Sequence, residues 1–183
     1  LYATWRDTPL FITALIYGLS LTAMSLASTV FHLTVAAERT ILWLRRLDHA
    51  AIYLVIAGCY TPLFYHVLEA EWRWVMLVII WGIAIIGMGY KLIIMQTDGW
   101  PSVICYVLTG CLRLLVLPQA SPRLETASLL LIALGAIPLL IGAVIFGAKK
   151  PNPHPLFGHH EIWHLCVLLG TGLHFVAIAV FMI

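Results

Sequence analysis

The sequence predicts an all-α integral membrane protein, a polytopic bundle of transmembrane helices that forms one domain over residues 1–183. Of the 183 residues, 62% are hydrophobic and only 10% are charged, whereas soluble domains average about 45–50% and about 25%. The mean hydropathy is +1.01, and the apolar residues lie in long runs separated by short polar links. A compact soluble fold of this length could not bury so much apolar surface.

Six stretches are long enough to cross a bilayer. A hydrocarbon core about 30 Å thick requires about 20 apolar residues in a helix, and a helix satisfies its own backbone hydrogen bonds in lipid. The predicted spans are 9–33, 48–67, 73–95, 100–118, 125–148 and 157–183. Pro62 and Pro138 fall within two of them and are expected to bend their helices, because proline removes a backbone donor.

Lysine and arginine predict the orientation of these spans. Successive links between the spans lie on alternate faces of the membrane. One face then carries Arg6, Arg73 and Arg123, and the opposite face carries Arg39, Arg45, Arg46, Lys91, Lys149 and Lys150. The positive-inside rule places the second face in the cytoplasm, and we expect the plasma (inner) membrane. The net charge of +2 and the absence of a basic run or a Gly-rich phosphate loop argue against a nucleic-acid partner.

Four cysteines lie within apolar segments and lack CxxC spacing. They are Cys59, Cys105, Cys111 and Cys166. We expect buried free thiols that act as small apolar residues.

Several ionisable residues fall at the span ends that this orientation assigns to the cytoplasmic face. His32 ends the first span, Asp48 opens the second, and His160 and His164 open the last. We therefore expect these four side chains, from three helices, to share one depth about a turn inside the cytoplasmic surface. Ionisable residues within a membrane are by default candidates for a functional site.

The residue types and spacing predict a zinc site. His160 and His164 are four residues apart, as are Ser28 and His32, so each pair lies about 40° apart on its helix. Catalytic Zn²⁺ commonly takes three protein ligands and one water, which predicts His32, His160 and His164 as the ligands. Such a metal acidifies its water and polarises a carbonyl. Asp48 is the candidate to take the proton, and Ser28 could hydrogen-bond a ligand or the reacting oxygen.

Residues 160–164 also read HEIWH, the pattern of a zinc peptidase helix in which Glu161 would be the base. The residues that follow, 165–183, are almost entirely apolar, unlike a helix in a water-filled cleft. An intramembrane metalloprotease of the site-2 type is one alternative. Such enzymes resemble one another in a further Asp ligand within N-x-x-P-x-x-D-G, and here the only Asp–Gly lies in MQTDGW, without that Asn or Pro.

Other polar residues near or within the spans fit supporting roles. His49 points about 100° away from Asp48 and is expected to be interfacial or to support the site without binding metal. His159 lacks a histidine at i+4, so His160 is the preferred ligand. His174 is expected to be a buried structural residue, and Arg113 to snorkel or to meet a lipid headgroup.

The pattern S-x3-H, then LRRLDHAAIYLVIAGCYTP, then H-x3-H continuing as HLCVLLGTGLHF, resembles the hemolysin III branch of the progestin and adipoQ receptor family. That family includes the adiponectin receptors and is related to the alkaline ceramidases. The resemblance implies seven transmembrane helices, a cytoplasmic N-terminus, and zinc bound near the cytoplasmic side by His32, His160 and His164. It places Asp48 beside the zinc-bound water and Ser28 close by.

The resemblance also bears on the absent first helix and on the residues between the last two histidines. The first helix of the family has no counterpart here, so we expect the chain to be truncated at its N-terminus. Members carry different residues between the last two histidines, so the resemblance does not require Glu161 to be a base.

Two classes of function follow. The first is a zinc-dependent, ceramidase-like hydrolase acting on a membrane lipid amide or ester. The second is a non-enzymatic receptor or membrane-stress sensor whose zinc clamps helices together. A closed structural zinc site has four protein ligands, so direct binding of Asp48 to the metal would favour the second class, and binding through water the first.

Overall fold

A computed structural model describes residues 8–94, 99–154 and 157–181. These residues form seven helices: α1 Thr8–Leu33, α2 Glu38–Val67, α3 Ala70–Ile93, α4 Trp100–Cys111, α5 Arg113–Ala120, α6 Thr126–Ala148 and α7 His159–Phe181. Within the same residues the extended structure amounts to one isolated bridge between His154 and Phe157. The predicted all-α class is confirmed.

Six segments of the described part of the chain are long and apolar enough to cross a bilayer, with α4 and α5 together forming one of them. The six predicted spans and the multi-pass membrane class are therefore confirmed. The fourth span is interrupted at Leu112, whose N–H bonds to the Thr109 carbonyl at 3.3 Å. That bond reaches three residues back instead of four, which tightens the turn. Beside it, Arg113 Nε donates to the Gly110 carbonyl at 3.1 Å.

The second helix begins at Glu38, ten residues before the span predicted from hydropathy. The added segment contains Glu, Leu and Arg, which have high helix propensity, and it lengthens α2 by about 15 Å. Hydropathy marks where a helix is apolar and does not mark where it begins. Arg46 Nη1 donates to the Leu92 carbonyl at 3.0 Å, which ties this segment to the end of α3.

The four cysteines are free thiols, as predicted, but their burial differs from the prediction. Cys59, Cys111 and Cys166 are half-buried, and Cys105 is exposed. The prediction that these thiols are buried is wrong, because an apolar membrane helix turns part of its surface outward.

The chain divides into two compact units, Leu1–Gln96 and Thr97–Ile183. The single domain expected from the sequence stays a prediction. The helix bends expected at Pro62 and Pro138 also stay predictions. In the N-terminal unit, α2 packs against both α1 and α3. Tyr60 and Phe64 of α2 are almost fully buried. A Cβ atom on Gly87 of α3 would lie 2.6 Å from the ring of Tyr53, so this glycine lets α2 and α3 approach closely.

In the C-terminal unit, α6 packs along α7 and also contacts α4. Glycines allow the close approach of α6 and α7. A Cβ atom on Gly142 would lie 2.7 Å from Cys166 Cβ, and one on Gly170 would lie 2.7 Å from the carbonyl oxygen of Gly135. Small residues let membrane helices bring their backbones together, so the position of α7 is fixed by α6.

Candidate metal centre

Glu161 caps the start of α7. Its Oε2 accepts the backbone N–H of Gly158 at 2.7 Å, and the Gly158 carbonyl accepts the first helical N–H, from Ile162, at 3.1 Å. A glutamate at the third helical position that reaches back to the residue before the helix is half of a capping box. Glu161 is exposed, so the glutamate of HEIWH serves the helix start at the protein surface.

His160 and His164 point their ring nitrogens at each other. The two Nε2 atoms are 3.0 Å apart, and the ring planes lie at 78°. Two nitrogens bound to one tetrahedral zinc at about 2.0–2.1 Å would be about 3.3 Å apart. The pair therefore fits one metal ion with a small adjustment. Without a metal, one ring can donate its N–H to the other.

Packing against α6 holds this pair. The ring of Phe146 lies 6.0 Å from the ring of His160 and 5.5 Å from that of Trp163. A Cβ atom on Gly142 would lie 2.9 Å from the Trp163 ring. The absence of a side chain at Gly142 thus makes room for Trp163, and its neighbour His164 is oriented with it.

His32 lies in the last turn of α1, in the N-terminal unit, with its side chain exposed. His32, His160 and His164 are candidate ligands that could each offer one ring nitrogen to a metal ion. Ser28 is half-buried one turn before His32. The three histidines stay a candidate metal group, and the predicted roles of Ser28 and Asp48 stay predictions.

Asp48 lies in α2, and its side chain is 13% exposed. Its Oδ2 is 3.9 Å from His49 Nδ1, which is too long for a hydrogen bond. His49 Nδ1 lies 2.8 Å from the Arg45 carbonyl and donates there. His49 is buried and bonds to the backbone of its own helix, and its expected role, interfacial or supporting the site without binding metal, stays a prediction.

A second polar contact lies within the C-terminal unit. His174 is buried, and its Nε2 is 3.1 Å from the Ile132 carbonyl and 3.0 Å from Arg113 Nη1. The expected burial of His174 is confirmed. Arg113 was expected to reach the surface or a lipid headgroup, whereas its Nη1 contacts the buried His174 of α7.

Sequence reasoning also missed two residues. Lys91 near the end of α3 is only 1% exposed, although a lysine near a helix end ordinarily reaches the interface. Asn152, in the loop before α7, bonds to both ends of that loop. In the sequence, its position in an N-P-H-P segment ahead of two adjacent histidines could have indicated this role.

These features define a class, a multi-pass integral membrane protein with a candidate three-histidine metal site. The chain belongs to the haemolysin-III related family, whose profile matches residues 3–175. It is similar to "Hemolysin-3" of Bacillus cereus, with 33% identity over 160 residues that cover 87% of this chain and 70% of the relative. The "Hemolysin-3 homolog" of Bacillus subtilis (strain 168) is 31% identical over 87% of this chain and 72% of its own length.

A third relative extends the likeness to animals. The "Monocyte to macrophage differentiation factor" of Homo sapiens is 29% identical over 178 residues, which cover 91% of this chain and 69% of that protein. No solved structure matches the chain. Together these relatives confirm the predicted resemblance to the hemolysin III branch of the progestin and adipoQ receptor family.

Proposed function

We propose that this protein is a zinc-dependent hydrolase of a membrane lipid amide or ester, with His32, His160 and His164 as the metal ligands. The observation that carries the proposal is the 3.0 Å separation of the His160 and His164 Nε2 atoms, which suits two ligands of one ion. Imidazole nitrogens suit zinc among other first-row metals, and three protein ligands are typical of a catalytic site with an open position.

Zinc bound there would supply Lewis acidity towards a carbonyl oxygen and would acidify a water in its open position. Side chains of the protein would carry out the proton transfers and hydrogen-bond the reacting group. The Asp48 carboxylate would accept a proton from the attacking water and pass it to the leaving amine or alcohol as the C–N or C–O bond breaks. The Ser28 hydroxyl would donate a hydrogen bond to the reacting oxygen. The products are a fatty acid and an amine or alcohol.

A membrane lipid is the proposed substrate because exposed apolar side chains come directly after the histidine pair along α7. Leu165, Leu168 and Leu169 of α7 are 55%, 65% and 59% exposed, and an acyl chain could lie along them. The excess of basic residues on one predicted face supports a site near the cytoplasmic leaflet of the plasma (inner) membrane.

The test is lipid hydrolysis by purified protein in detergent micelles. Zinc-loaded protein is incubated with an N-acyl sphingoid base and, separately, with an ester lipid of the same acyl chain, and released fatty acid is measured by mass spectrometry. Release that stops when zinc is chelated is expected. Zinc-loaded, folded protein that releases no fatty acid from either lipid would leave the non-enzymatic receptor or sensor as the better account.

Asp48→Asn is expected to lower the rate of lipid hydrolysis about 10²-fold, because the general base loses its negative charge, while zinc content stays unchanged. Rate and zinc content are measured on the same preparation. Loss of zinc from this variant would instead indicate that Asp48 binds the metal directly, as in a structural clamp.

Glu161→Gln is expected to retain hydrolysis and zinc, since glutamine also fits the third position of a capping box. Glu161→Ala is expected to destabilise the start of α7, because the Gly158 N–H loses its side-chain acceptor. Thermal unfolding in detergent and hydrolysis rates are compared for the two variants. Folded Glu161→Gln protein with abolished hydrolysis would contradict the capping role and restore Glu161 as a base.

A further inference from the structure

Two adjacent histidines, His159 and His160, begin α7, and both carry imidazoles that could bind a metal. His160 is one turn from His164, whereas His159 is five residues away and about 140° round the helix. The first residue of a helix is held less firmly than the next turn. A contact that fixes His159 would therefore decide which of the two neighbours faces His164.

Asn152 makes that contact. Its Oδ1 accepts the backbone N–H of His159 at 2.9 Å and also lies 2.7 Å from His159 Nδ1. Since the backbone N–H can only donate, the atom it meets is the amide oxygen, and Nδ1 of His159 must carry the proton. A Cβ atom on Gly158 would lie 2.6 Å from Asn152 Oδ1, so the glycine makes room for this arrangement.

The other end of the Asn152 amide is tied to α6. Nδ2 donates to the carbonyl of Lys149 at 3.0 Å. Lys149 directly follows α6 and adopts the left-handed conformation, with φ of 55°, and its N–H bonds to the Phe146 carbonyl at 3.3 Å. Phe146 is the residue whose ring packs against His160. One side chain thus joins the end of α6 to the first residue of α7.

We propose that Asn152 is a positioning residue that holds the ring of His159 towards the loop and so leaves His160 to pair with His164 at the metal. This inference rests on the proposed metal site. It assigns Asn152 no contact with metal or substrate. Its effect is to select one of two adjacent imidazoles and to fix where α7 begins.

The test compares zinc affinity, measured by competition with a chelator, in four proteins: wild type, Asn152→Ala, His159→Ala and the double variant. Residues that orient metal ligands typically contribute 10–100-fold in affinity, so Asn152→Ala is expected to bind zinc about tenfold more weakly. His159→Ala is expected to bind like wild type. The double variant is expected to regain most of the lost affinity, because the competing imidazole is gone.

His154→Ala is the matched control, since His154 is exposed in the same loop and bonds to Phe157 through its backbone.

A second readout does not require metal. Nitrogen-15 NMR of the metal-free protein is expected to show His159 protonated at Nδ1 in the wild type and no longer so in Asn152→Ala. Unchanged affinity in Asn152→Ala, a double variant as weak as the single one, or an unprotonated Nδ1 in the wild type would each overturn the inference. None of these readouts involves lipid. A protein that shows the expected affinities but hydrolyses no lipid would therefore overturn the proposed hydrolase alone.

Discussion

Purified His164→Ala protein is expected to contain no bound zinc, where the wild type contains about one zinc ion per chain. The reason is the geometry of the pair, since His164 Nε2 lies 3.0 Å from His160 Nε2 and removing one ring leaves the other without its partner. His32→Ala and His160→Ala are expected to behave alike. Metal content is measured by plasma mass spectrometry on protein purified without added metal.

The control for this result is His154→Ala, which removes a histidine from the exposed loop before α7. It should keep its zinc. Circular dichroism in detergent shows whether each variant retains its helices. Full metal content in folded His32→Ala and His164→Ala proteins would eliminate the three-histidine site.

Gly170→Ala is expected to destabilise the protein by about 1–3 kcal/mol, a typical effect of an extra carbon in a packed interface. The new Cβ atom would lie 2.7 Å from the Gly135 carbonyl oxygen and 2.9 Å from Leu139 Cδ2. The carbonyl belongs to the helix backbone of α6 and cannot move aside as a side chain could. Thermal unfolding in detergent measures the effect.

Gly172→Ala is the matched control on the same helix, because a Cβ atom there meets nothing within 4 Å. Alanine favours a helix over glycine by about 1 kcal/mol, so this variant is expected to be as stable as the wild type or slightly more stable. Equal stability of the two alanine variants would show that the α6–α7 contact is looser than described.

Much of the fold could be predicted because a bilayer imposes a length and a polarity on each helix. Apart from the start of α2, the predicted spans agree with the helices to within three residues at each end. The candidate ligands were found for a related reason. A histidine or an aspartate is costly in lipid, so His32, Asp48 and His164 stand out against an apolar background.

The contacts that position the site could not be predicted, because they depend on how neighbouring segments fold back. The Glu161 cap requires the Gly158 N–H to turn towards it, and the Asn152 bridge requires a loop that returns to the end of α6. The Arg113–His174 contact joins residues 61 positions apart. Composition and periodicity carry no information on such pairings.

The cap at Glu161 affects how short patterns should be interpreted in other proteins. A glutamate at the third position of a helix is commonplace, and when a histidine happens to precede it and another lies one turn on, the peptidase pattern arises with no peptidase chemistry behind it. Matches that fall within the opening turn of a helix are therefore weaker grounds for assigning proteolysis than matches further along. The hydrogen-bond partner of the glutamate separates the two cases.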